Sequence, residues 1–137
     1  MKDFSLGEAG LTGYRTLDGE HHVQIDLLSA FSRVASGAQE GGDLDEIFDR
    51  LVEYTKVHFA SEQMLMRLYQ YPRFDEHVVD HERTIERLED LRQALARADE
   101  TQARAVAADL KEWIIAHICS ADLMLGQYLV RLGVGPG

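Results

Sequence analysis

The chain has 137 residues, a formal net charge of −10 and a single cysteine, Cys119. This length suits one domain with a sizeable core, and the acidic excess argues against nucleic acid or an anionic membrane surface as partner. A lone cysteine cannot form an internal disulfide, so a reducing, cytoplasmic setting is expected, either for the chain alone or as a module of something larger. No apolar run reads as long enough to span a bilayer, and Met1 to Leu17 lacks a signal-peptide pattern.

Residues 1–17, with Gly7, Gly10 and Gly13, read as an irregular N-terminal arm. The first helix is expected from about Asp18, a reasonable N-cap, to Ser36, with Gly37, Gly41 and Gly42 ending it. Asp43 can cap a second helix, which carries Leu44, Phe48, Leu51, His58, Glu62 and Met66 at helical steps until Tyr71-Pro72 breaks it. Pro72 suits the first turn of a third helix, through Phe74, His77, His81, Leu88 and Leu95. After the polar break at Asp99-Glu100-Thr101, a fourth helix carries Val106, Leu110, Ile114, His117, Leu125 and Leu132. Residues 133–137 read as a flexible tail or a linker stub, which suggests a fused or partner signalling domain. Short connections favour antiparallel neighbours, hence an all-α, up-down-up-down four-helix bundle over residues 18–132.

Helical spacing of about 100° per residue decides which histidines face inward. In the first helix Val23, Ile25, Leu28, Phe31 and Ala35 belong to a broad apolar arc with His21 at its edge, while His22 points with Asp26, Ser29 and Arg33. Gln24 is a polar intruder in that arc. His58 and Glu62 lie one turn apart in line with Leu51 and Leu65, and His77 and His81 lie one turn apart between Phe74 and Ile85. His117 and Asp122 fit less well. Their spacing puts them roughly 140° apart on a regular helix, an angle that a local π-bulge would reduce. A single His-x3-Glu pair is commonly a surface pair, but a core holding five unliganded imidazoles would carry a heavy desolvation cost.

Five imidazoles (His21, His58, His77, His81, His117) and two carboxylates (Glu62, Asp122) make a donor set too rich in nitrogen for calcium or magnesium. The set is also too large for one tetrahedral zinc. Two octahedral ions sharing both carboxylates and one oxo or hydroxo bridge would use every residue and leave one position open to a small molecule. The Glu-x-x-His motif of carboxylate-rich diiron enzymes does not occur in the expected helices, which disfavours oxygenase chemistry. Cys119, roughly 200° around the helix from His117, cannot join this set and reads as a small buried hydrophobe. Met64, Met66 and Met124 read as core filler.

These residues resemble hemerythrin, and more closely the bacterial hemerythrin-like domains. The resemblance covers nearly the whole chain: Leu17-Asp18-Gly19-Glu20-His21, His58-Phe59-Ala60-Ser61-Glu62, Leu65-Met66, Tyr71-Pro72, His77-x3-His81, and Lys111-Glu112-Trp113-Ile114-Ile115-Ala116-His117 followed by Asp122. It implies a four-helix bundle with two non-haem iron ions that binds O2 reversibly at one of them. By that pattern His77, His81 and His117 hold a coordinatively full iron, His21 and His58 hold the iron that takes O2, and Glu62 with Asp122 bridges. Phe59, Trp113, Ile114 and Ile118 would wall the O2 pocket. Two positions depart from the family: its bacterial members usually carry a Trp in the arm, where this chain has Leu6, and usually an aliphatic residue at the place of Gln24. Gln24 is expected either to bond a backbone carbonyl or neighbouring helix, or to approach the open iron position.

The leading functional expectation is therefore O2 binding for storage, delivery or sensing, rather than an enzyme. Diiron peroxidase or NO-handling chemistry, with peroxide or a related diatomic as ligand, is the enzymatic alternative. A structural bundle binding zinc or nothing is the third.

Overall fold

The computed structural model describes residues 12–37, 43–97 and 99–133. Leu6, Gly7, Gly10, Gly41, Gly42 and residues 134–137, for which the sequence carries expectations, lie outside these ranges. Helix α1 spans Arg15–Ala35, α2 Leu44–Leu68, α3 Phe74–Leu95 and α4 Glu100–His117; a π-helical segment, Ile118–Asp122, joins α4 to α5, Leu123–Leu132. No strand occurs among the described residues. Helix α1 packs on α2 and α4, α2 on α3, and α3 on α4, closing a four-helix bundle in which α4 and α5 act as one rod.

Local chemistry sets the helix ends. Asp43 caps α2 as expected, accepting from the amides of Asp45 at 2.9 Å and Glu46 at 3.3 Å. Asp99 and Gln102 form a capping box at the start of α4. Asp18 departs from expectation. Helix α1 begins earlier, at Arg15, and the Asp18 carboxylate instead accepts from Thr12 N and Oγ1 and from Gly13 N. Thr12 and Gly13 are thereby tied to α1, and Thr12 lies against Gly126, where an added Cβ would overlap the threonine side chain. Pro72 precedes α3 instead of occupying its first turn.

Two apolar clusters divide the interior. The larger gathers Leu28, Phe31, Phe48, Leu51, Leu88 and Leu110 with their neighbours from all four helices. The smaller, built from Tyr14, Leu17, Met66, Tyr71, Leu125 and Leu129, closes the end from which α1 starts. Between them lies a layer of buried His, Glu and Asp side chains. In α1 the buried face is turned slightly from the expected arc, so that Ser29 is buried while Val23 is 41% exposed. Met66 is core as expected. Met64 and Met124 are exposed, and Cys119 is partly exposed, because each sits on the outward side of its helix.

The run Thr101–Leu132 is long and apolar enough to cross a membrane by length and composition, which corrects the reading that no such stretch exists. Its apolarity is that of a core helix: Leu110, Ile114, Ile118, Leu125 and Leu129 are buried against the bundle, and Asp122 interrupts the series.

Helix α2 ends in a Schellman-type turn, with Tyr71 N donating to Met66 O at 2.9 Å and Gln70 N to Arg67 O at 3.4 Å. The turn puts Gln70 at φ 54°, a left-handed conformation that glycine adopts without strain. Tyr128 Oη donates to the carbonyl of Tyr69 at 2.8 Å, holding this turn against α5. Gln70→Gly should therefore raise unfolding stability by about 1 kcal/mol. Denaturant titration of both proteins checks it, and a lower stability for the variant would show that the glutamine side chain matters more than the strain.

Candidate metal centre

The seven predicted donors converge between the two apolar clusters. His21 comes from α1, His58 and Glu62 from α2, His77 and His81 from α3, His117 from the end of α4, and Asp122 from the π segment. Glu62, Asp122 and His21 have no solvent exposure, and His58, His81 and His77 have 1%, 2% and 3%. His22 points outward, with its side chain 78% exposed.

The two carboxylates divide the imidazoles. Oε1 of Glu62 faces His81 Nε2 at 2.7 Å and His77 Nε2 at 3.2 Å, while Oδ1 of Asp122 lies 3.1 Å from Nε2 of both His77 and His117. The second oxygens face the other way. Oε2 of Glu62 lies 3.2 Å from His58 Nε2, and Oδ2 of Asp122 lies 2.8 Å from His21 Nε2. Two overlapping donor groups result: Glu62, His77, His81, His117 and Asp122 in one, His21, His58, Glu62 and Asp122 in the other, each with its donor atoms within 4.8 Å of one another.

The π segment makes Asp122 part of both groups. Its wider turn, marked by Leu123 N bonding to Ile118 O, lets a residue five positions after His117 face the same interior. Ser120 Oγ donates to the carbonyl of Ala116 at 2.6 Å, satisfying an acceptor near the widened turn.

Whether these groups suit a cation can be read from the atoms without partners. Among the described residues, the buried side-chain atoms lacking a hydrogen bond are His21 Nδ1, His58 Nε2, Glu62 Oε2, His117 Nε2 and Asp122 Oδ1, all within this set. Each such atom costs about 1–3 kcal/mol if left unsatisfied. Several approach one another to near 3 Å without bonding alignment, as expected for donors aimed at shared points rather than at each other. Nitrogen and oxygen donors of this kind suit a first-row transition metal.

Residues outside the predicted set orient the imidazoles. Glu20 Oε1 pairs with His58 Nδ1 at 2.6 Å and Glu20 Oε2 accepts from Ser61 Oγ at 3.1 Å, so His58 turns Nε2 inward. Gln63 Oε1 meets His81 Nδ1 at 3.1 Å, and Asp80 Oδ2 lies 3.6 Å from His117 Nδ1. Sequence reasoning missed these roles, although Glu20 and Gln63 each adjoin a predicted donor. The expected pocket walls are placed unequally. Phe59 stacks on His81 with ring centroids 3.8 Å apart, and Ile114 and Ile118 are buried in the larger cluster. Trp113 is 39% exposed, its indole N–H donating to Thr84 Oγ1 at 3.0 Å. Gln24 is 3% exposed and donates through Nε2 to Thr55 Oγ1 at 3.0 Å, the neighbouring-helix bond that was one of its two expected roles.

A family model described as the hemerythrin HHE cation binding domain matches residues 12–129. The chain belongs to the hemerythrin family. It is 27% identical to a bacteriohemerythrin of Ralstonia nicotianae over 133 residues, covering 97% of this chain and 93% of that protein. It is 30% identical to a bacteriohemerythrin of Stenotrophomonas maltophilia over 110 residues, covering 80% of this chain and 71% of the relative. A Pseudomonas aeruginosa bacteriohemerythrin is 28% identical over 111 residues, covering 81% and 71%.

Electrostatics in this hemerythrin-family centre couple metal to protons. Burial lowers the His58 pKa, but the carboxylates of Asp122, Glu20 and Glu62 outweigh it and raise it to about 12. Burial likewise opposes, and Asp122 and Glu62 outweigh it, at His77, raised to about 9. Burial and the neighbouring His77 and His117 lower His81. Burial and their mutual repulsion would raise Glu62 and Asp122, yet the surrounding imidazoles hold both well below the carboxylate range. The stability that protonated His58 and His77 lend to metal-stripped protein is complete below their unfolded pKa and is lost as pH rises, first through about 9. The stability from the ionised carboxylates is lost in the opposite direction, as pH falls. Metal must displace the imidazole protons, so loading stripped protein at pH 7 in weak buffer should release protons, and fewer above pH 10. A pH-indicator titration measures this, and loading without proton release would contradict the assignment.

Proposed function

We propose that this chain is a non-haem diiron protein that binds O2 reversibly on its two-imidazole side. The division of Glu62 and Asp122, one oxygen of each toward each group of imidazoles, carries this reading. Glu62 and Asp122 would help hold both ions, with His77, His81 and His117 holding one and His21 and His58 the other. Iron bound by His21 and His58 would supply the chemistry of reversible O2 binding.

The chain's own residues serve that chemistry in distinct ways. Glu20 holds the tautomer of His58 so that Nε2 faces inward, and Gln63 does the same for His81. Ile114, Ile118 and Phe59 place apolar surface beside the donors, which keeps bulk water out. The bacteriohemerythrin names of the relatives support a binding protein rather than an enzyme.

Anaerobic reconstitution with ferrous iron should yield about two irons per chain. Exposure to air should produce a visible absorption band that disappears when O2 is removed. Glu62→Ala should lose both ions and His21→Ala one of them. Metal analysis with optical spectra decides the matter; a colourless, iron-free protein after reconstitution would end the proposal.

A further inference from the structure

Gln24 and Thr55 form a polar step between the donors and the larger apolar cluster. Gln24 follows His21 by one turn on the buried face of α1, and Thr55 precedes His58 by nearly one turn on the buried face of α2. The His21 and His58 rings are 4.9 Å apart, and one layer further along the same two helices Gln24 Nε2 reaches Thr55 Oγ1 at 3.0 Å. Beyond it the interior is apolar: Leu28 and Leu51, then Phe31 and Phe48 with ring centroids 5.6 Å apart. The polar step therefore adjoins the two-imidazole group and no other.

The hydrogen-bond directions decide what this step can offer. Thr55 Oγ1 donates its single hydrogen to Leu51 O at 2.7 Å, so toward Gln24 it can only accept. That fixes the glutamine amide with its nitrogen toward Thr55, which engages one of the two N–H hydrogens. The other is held on a rigid side chain with 3% exposure, on the layer next to His21 and His58. A leucine of similar volume would fill the space without the cost of burying an amide.

We propose that Gln24, oriented by Thr55, is a specificity-determining hydrogen-bond donor to the ligand held between His21 and His58. It would strengthen the binding of anionic or strongly accepting small ligands. This rests on the diiron reading above. A donor fixed before the ligand arrives needs no reorganisation when negative charge reaches it, and its effect is largest in a buried site.

Azide is a suitable probe because it is a small anion. With diferric protein at matched iron content, Gln24→Leu should bind azide about tenfold more weakly, the effect of one hydrogen bond to a charged acceptor. Thr55→Val, which removes the acceptor that aims the amide, should also weaken binding. The infrared stretch of bound azide should shift between H2O and D2O in wild type but not in Gln24→Leu, a response that a purely structural role would not give. Wild type lacking iron would overturn the diiron reading, and this proposal with it. Wild type that binds iron and azide, beside a Gln24→Leu variant with unchanged affinity and unchanged isotope response, would overturn this proposal alone.

Discussion

Two carboxylates without any solvent exposure govern the architecture. Burying Glu62 and Asp122 in the middle of a helical bundle would be prohibitive in an apolar surrounding. Here each is flanked by imidazoles on both sides. The helices must bring those imidazoles from every direction at once, which one helix pair cannot do. The bundle, its short α2–α3 turn and the register of all four helices follow from assembling this shell. The apolar clusters above and below make the layer dry, and dryness makes its charge arrangement count.

The π segment answers a conflict between that shell and ordinary helix geometry. Ile114 and Ile118 keep α4 in register with the larger cluster, Leu125 and Leu129 keep α5 in register with the smaller one, and both His117 and Asp122 must face the donors. A regular helix cannot satisfy all of these over a five-residue step. One widened turn does, and Ser120 bonds a carbonyl beside it.

The fold was largely legible because its signals are periodic. Helix-spaced Leu, Ile and Phe, the cap at Asp43 and the breaks at Tyr71-Pro72 and Asp99-Glu100-Thr101 all act locally. The donor positions were legible for the same reason, since inward-facing histidines are rare enough to be counted. What escaped was non-periodic. Glu20, Gln63 and Asp80 are ordinary charged or polar residues whose partners lie on other helices, so no spacing rule points to them. Asp18 looked like a cap because its type and place fit one, whereas its partners, Thr12 and Gly13, lie in the arm. The buried Ser29 and exposed Val23 show that a helix's rotation is set by its neighbours to within about one residue, finer than the apolar arc alone defines. The apolar length of Thr101–Leu132 is not a continuous run in the sequence, because Asp122 and other polar residues divide it.

The notch at Gly126 has a mechanical meaning. Thr12 occupies it, while the clasp on that threonine, Asp18, lies three residues before His21, and Gly126 lies four residues after Asp122. The strap is thus anchored within about one helical turn of a donor at each of its ends. A shift of α1 against α5 at the donor layer would therefore move Asp18 and Gly126 relative to each other and disturb the seat of Thr12.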